Sequence, residues 1–200
     1  ALLENAPGAY LDAVLLNGLK VGYLVPIRGE RMLMGPLEFW GHFSVTTTVF
    51  HGQIWRFITF QFLHAGFGHI LFNMIGLLVF GPLVESYLGS RRYLAFYLIC
   101  GVCGPVIYCM FAAAGLLSTT AGTPLVGASA GLFGILIAAA VIAPHAEVML
   151  LFPPVPVKLR HLAIFFVALA IYTVIFFGHR GEHNAGGEAA HLGGAAMGYL

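Results

Sequence analysis

Charge is what this sequence has least of. Only 8% of its 200 residues are Asp, Glu, Lys or Arg, against about 25% in a soluble globular domain. So few charges cannot wet the surface of a soluble fold, and the mean hydropathy of +0.91 agrees. A soluble enzyme and a disordered chain are excluded. The net charge of +1 offers phosphates no basic footprint, which excludes nucleic acid as a partner. Aspartate is scarcer still. Asp12 stands alone beside seven glutamates and nine histidines, so a mechanism needing several carboxylates would draw on glutamates that mostly lie in loops. The three cysteines, Cys100, Cys103 and Cys109, share one apolar run, which implies no disulfide framework. Without an electropositive neighbour their thiols have no reason to be reactive, and packing is the simpler role. HExxH, the mark of a membrane zinc protease, is absent. His179 and His183 have a metal-like spacing but no third ligand beside them. No metal and no cofactor are expected.

What the chain does have is apolar length, with 60% hydrophobic residues and 26 glycines. A polytopic membrane protein accommodates both, because glycine lets helices in lipid approach closely. Four apolar segments, 69–88, 93–117, 125–143 and 162–178, read as helical spans, and a fifth begins at 189. Twelve residues of helix cover only about 18 Å of about 30 Å of hydrocarbon, so the fifth is expected to continue past residue 200. The apolar stretch 10–25 carries Asp12, Asn17 and Lys20 and reads as a weak or interfacial helix. Residues 29–55 read as a long loop in which Phe39, Trp40, Phe43 and Phe50 supply aromatic interface anchors. His42, His51, His145 and His161 read as interfacial polar residues. The expected organisation is an N-terminal segment with a membrane-associated first loop, 1–56, and a transmembrane core, 57–200.

Four cations set the orientation. Arg91 and Arg92 follow the first clear span, and Lys158 and Arg160 follow the third, whereas 118–124 is uncharged and 179–188 is near neutral. Loops 89–92 and 144–161 are therefore expected on the cytoplasmic side. Three spans then start on the opposite side, and each carries polar groups near that start. His69 and Asn73 share a face at i, i+4. Ser129 lies four residues into its span, and His191 just inside the last. Gly127-x-Ser129-x-Gly131 read alone is either a nucleophile motif or a small-residue packing face. A serine and a histidine at one depth favour a nucleophile and its base. Ser129 would attack a peptide carbonyl and His191 would shuttle the proton. No carboxylate is obvious as a third member, because the glutamates look poorly placed. A dyad is expected, with the Phe133 ring stacked on His191. The Ser129 backbone N–H, the His69 ring and the Asn73 amide are candidate oxyanion donors. Gly194 and Gly198 lie on the His191 face and would let that helix close on the Ser129 helix, whose small face includes Gly127, Gly131 and Gly134.

Five ordered motifs resemble the rhomboid intramembrane serine proteases. They are Trp55-Arg56, His64-x4-His69-x3-Asn73, Glu85-x3-Gly89-Ser90, Gly127-Ala128-Ser129-Ala130-Gly131 and Ala190-His191-Leu192-Gly193-Gly194, and they span about residues 55–198. The resemblance implies an all-α, six-helix core. About five of its helices lie in this chain, with the first expected upstream and the last truncated. It implies a Ser129–His191 dyad, an oxyanion hole from His69 and Asn73, and a first loop marked by Trp55-Arg56. It also favours a hydrogen bond from Glu85 to a neighbouring loop. His64 is read as organising the loop above the site. Phe133 stands where the family often has Tyr, which keeps the ring and loses the hydroxyl.

The function implied is an intramembrane serine endopeptidase that cleaves transmembrane protein substrates in or near their membrane segments. The lipid bilayer is its setting, and a bacterial inner membrane suits the orientation, with an organelle membrane as the alternative. The alternatives are a catalytically silent rhomboid-like client-binding protein and a small transporter using the same polar cluster.

Overall fold

A computed structural model of the chain describes residues 12–16, 19–27, 30–149 and 154–200. It opens with β1 (Asp12–Leu16), β2 (Leu19–Ile27) and β3 (Glu30–Met34). The three form an antiparallel meander, with Leu16 opposite Leu19 and Ile27 opposite Glu30. This corrects the helix expected over 10–25, of which 10, 11, 17 and 18 lie outside the described residues. The physical reason is in the sequence. Val14, Val21, Tyr23 and Val25 favour strands, and Gly18, Gly22 and Pro26 disfavour a helix. Asn17-Gly18 between apolar runs is a strong hairpin signal.

The segment from 35 to 66 folds as short turns of helix, α1 (Pro36–Gly41), a π-helical turn (Val45–Phe50) and α2 (Arg56–Thr59). Five longer helices follow: α3 (Phe67–Leu88), α4 (Ser90–Ala113), α5 (Ser129–Ile142), α6 (Leu159–Phe177) and α7 (Ala185–Tyr199). Between α5 and α6 lies a small hairpin, β4 (Glu147–Met149) with β5 (Pro156–Lys158). Among the described residues three helices, α3, α4 and α6, are long and apolar enough to cross a membrane. Pro82 and Pro105 lie inside α3 and α4. Membrane helices tolerate proline where neighbours satisfy the freed backbone groups.

The core is built around α5, which α3, α4, α6 and α7 contact. Ile135 to Ala140 are buried without interruption. Their burial all round, rather than on one stripe, is what a central helix requires. One apolar cluster surrounds this lower part of α5, and a second joins Phe43, Phe60 and Tyr108 to the start of α7. By contrast Ile164, Phe165, Ile175 and Phe176 of α6 are exposed, which suits lipid contact.

Helix α5 has 14 residues, or about 21 Å, against about 30 Å of hydrocarbon. It starts at Ser129, later than the span expected from 125, because Gly127 has φ 135°. That conformation cannot join a right-handed helix. The preceding backbone is anchored to the first loop. Phe43 and Leu125 exchange backbone hydrogen bonds, and Gly127 N–H donates to the Phe60 carbonyl at 2.9 Å. Non-helical backbone at membrane depth survives only when held by protein in this way.

Candidate active site

The N-terminal ends of α3, α5 and α7 meet. Ser129 is the first residue of α5, and its Oγ lies 2.7 Å from Nε2 of His191 in the second turn of α7. The Phe133 ring, one turn along α5, lies over the imidazole with centroids 4.2 Å apart and planes 13° from parallel. A hydroxyl at its edge and an aromatic ring on its face thus both hold the imidazole.

His69 enters from α3. The Ala65 N–H donates to its Nδ1 at 3.3 Å, so the neutral ring carries its proton on Nε2. That edge points at Gly127. A Cβ built on Gly127 would lie 2.8 Å from His69 Nε2 and 3.5 Å from Ser129 Oγ. Glycine at 127 thus serves two needs, a positive φ and the close passage of the imidazole. Asn73 is buried one turn below, and its amide donates to the His69 carbonyl at 2.8 Å, which leaves one amide proton uncommitted by that bond. The Ser129 N–H is a first-turn donor with no helical carbonyl four residues before it.

The helix spacing comes from glycines. A Cβ on Gly194 would overlap the Ala130 carbonyl of α5, and one on Gly198 would overlap Gly134. A Cβ on Gly193 would run into the Cys103 carbonyl of α4. The expected small face of α5 is different in detail. Gly131 faces Tyr97 of α4 and Gly127 faces His69, so of the three glycines only Gly134 packs against α7.

Other expected site residues lie around this centre. Arg56 is buried at 2% exposure. Its guanidinium donates to the carbonyls of His42 (2.7 Å) and Phe39 (3.0 Å) and to Gln53 Oε1 (2.6 Å). Burial pushes its pKa down to about 10, which leaves it protonated at neutral pH. Trp55 beside it is half exposed. The His64 ring meets His69 edge-on at 5.1 Å, and desolvation, followed by the His69 charge, lowers its pKa. Glu85 lies in the last turn of α3, far from the dyad in the helix, and makes no side-chain hydrogen bond to a loop among the described residues.

Two aromatic and histidine expectations change. Phe43 is fully buried and is no interface anchor, because it pairs with Leu125 and packs on Phe57, Phe60 and Tyr108. His42 is buried under the Arg56 guanidinium and donates from Nδ1 to the Glu38 carbonyl at 2.8 Å. Burial, reinforced by the Arg56 charge, drives its pKa down to about 4, so it is neutral rather than an interfacial cation.

One contact escaped the sequence reading. Glu188 Oε2 lies 2.9 Å from His191 Nδ1. The sequence alone puts 188 in the 179–188 connection, where a glutamate looks poorly placed. Helix α7 begins at Ala185, so Glu188 stands three residues before His191 on the same face.

A bundle of apolar helices, three of them long and apolar enough to cross a membrane, defines a multi-pass integral membrane protein. The Rhomboid domain matches residues 51–200, and the chain belongs to the rhomboid family. RHOMBOID-like protein 1 of Arabidopsis thaliana is 36% identical over 111 residues, covering 54% of this chain and 26% of that protein. RHOMBOID-like protein 12, mitochondrial, of the same plant is 33% identical over 157 residues, covering 73% and 45%. Rhomboid protease GluP of Bacillus subtilis is 29% identical over 136 residues, covering 68% and 25%. The chain thus spans less than half the length of these curated relatives.

Proposed function

We propose that this protein is an intramembrane serine endopeptidase, with Ser129 as nucleophile and His191 as general base. The observation that carries the reading is the 2.7 Å contact between Ser129 Oγ and His191 Nε2 at the mouths of two buried helices. Membership of a family with protease-named relatives supports it. As the hydroxyl proton moves to Nε2, Oγ bonds the scissile carbonyl carbon and the carbonyl π electrons become an oxyanion. The Ser129 N–H and the His69 Nε2–H are the donors closest to that charge, at the positive end of the α5 dipole. Asn73 supports the His69 segment and offers its second amide proton. Collapse breaks the C–N bond, and Nε2 returns the proton to the leaving amine. Water then attacks the acyl ester with His191 again as base, which releases the acid and restores Ser129.

Water must reach the site, and the His191 side chain retains 14% exposure. The shortness of α5 supports a site that lies beneath one surface of the bilayer rather than at its middle. The substrates proposed are transmembrane segments of other proteins approaching laterally. A bacterial inner membrane is the proposed location, with 57–200 as the catalytic core. Against the transporter reading, Ile135 to Ala140 of the central helix α5 are buried and carry no polar side chain.

The test uses a fluorophosphonate probe and a model transmembrane substrate. The protein is expected to label and cleave, whereas Ser129→Ala and His191→Ala lose about a hundredfold or more in rate. Undiminished cleavage by Ser129→Ala would end the protease reading. A folded protein that binds a client but neither labels nor cleaves would leave the silent binder.

A further inference from the structure

We infer that Glu188 is a positioning residue for His191, which makes the site a Ser129–His191–Glu188 array rather than a bare dyad. The inference deepens the protease reading and rests on it. The chemistry starts from what a carboxylate can do. An ionised carboxylate only accepts hydrogen bonds. Its 2.9 Å contact with His191 Nδ1 therefore requires the proton on Nδ1. A neutral imidazole with Nδ1 protonated has its lone pair on Nε2. Nε2 is the atom 2.7 Å from Ser129 Oγ. Glu188 thus selects the one tautomer that can take the serine proton, whereas the other would offer Oγ an N–H.

The same contact acts during the reaction. When Nε2 gains the Oγ proton the ring becomes a cation between Phe133 and the carboxylate. Glu188 remains ionised, Nδ1 keeps its proton, and the charge pair stabilises the imidazolium without proton transfer to Glu188. The carboxylate is well situated for this. It lies in the first turn of α7, where the dipole favours negative charge, and its side chain is only 21% exposed. It is also preorganised, because both groups stand on one rigid helix at i and i+3, and the Glu188 N–H donates to the Asn184 carbonyl.

A plain alternative gives Glu188 no part beyond capping the helix dipole. The two roles separate in kinetics and in spectra. Rates are measured per active site, titrated by the fluorophosphonate, for the wild type, Glu188→Ala and Glu188→Gln. We expect Glu188→Ala to lower kcat about tenfold or more, a share of the 10²–10⁴ that a positioned base supplies, with KM within about twofold. Glu188→Gln, whose amide oxygen still accepts from Nδ1–H, should recover part of kcat. A helix-capping role alone would lower the folded fraction and leave kcat per site unchanged, and that result overturns the proposal. Nitrogen-15 spectra of labelled histidine give a readout that needs no turnover. His191, identified by its loss in His191→Ala, should be Nδ1-protonated in the wild type and shift away from that form in Glu188→Ala. An unchanged tautomer overturns the proposal too. If the wild type cleaves no better than Ser129→Ala, the protease reading fails by itself, and the spectra still decide whether Glu188 sets the tautomer.

Discussion

Single side chains govern the upper part of this molecule. Arg56 is a buried cation whose partners are carbonyls and an amide, so it acts as a clamp that closes the first loop. Arg56→Met should lower stability by about 2 kcal/mol or more, because buried carbonyls of Phe39 and His42 lose their donors. Thermal unfolding in detergent measures this. His42 adds a pH dependence. Its pKa is about 4 when folded and 6.5 ordinarily, so the unfolded chain binds a proton that the folded chain refuses. Stability should fall as pH drops below about 6.5 and level off near 4, with His64 acting in the same direction. His42→Gln is expected to flatten this slope. An identical slope in the variant would show that His42 is not its source. At Gly127 the sequence showed a motif member, and the structure adds the reason. Gly127→Ala places a methyl against His69 in a conformation that alanine rarely adopts, so a large loss of activity is expected even in folded protein.

At the level of whole elements, the distance between α5 and α7 is the quantity that matters. Their backbones touch through Gly194 on Ala130 and Gly198 on Gly134. Packing at that range has no slack, because interiors are filled to crystal-like density. Gly194→Leu should push α7 away from α5, open the 2.7 Å contact and abolish cleavage. Normal turnover by a folded Gly194→Leu protein would show that this contact does not set the dyad. The helices themselves were legible from their apolar runs, with ends shifted by a few residues. The shifts carried consequences. Moving the start of the last helix from 189 to Ala185 took Glu188 out of a loop and put it beside His191. With α5 starting at Ser129, a serine expected four residues into its span becomes the helix N-terminus.

On the scale of the whole molecule, the buried polar side chains among the described residues collect mainly at one end. His42, Ser44, Thr48, Arg56, Gln61 and Asn73 lie in or under the first loop, and Thr173 of α6 is buried as well. This segregation and the positions of Arg91, Arg92, Lys158 and Arg160 give the proposed orientation, with the dyad on the non-cytoplasmic side. It can be tested by single cysteines in a background without Cys100, Cys103 and Cys109. Both Thr120 and Ser90 are exposed. An impermeant maleimide should reach Thr120→Cys in intact cells and Ser90→Cys only in inverted vesicles. Labelling of both from one side would refute the orientation.

By itself the sequence determined the membrane class, the order of the five apolar helices after residue 66, and the placing of a serine and a histidine near the starts of two of them. These follow from composition, from runs of apolar residues and from the direction in which each helix crosses, all of them local or additive properties. It also contained the Asn17-Gly18 signal for the N-terminal hairpin, which the apolar content of 10–25 obscured. Only the tertiary structure decided which atoms touch. The Glu188 contact, the facing of Gly131 toward Tyr97, the burial of Phe43 and the neutral His42 all depend on helix phase and on neighbours remote in sequence. Spacing in a sequence fixes which residues share a helix face. It does not fix what that face meets, because packing is set by all the surrounding helices at once.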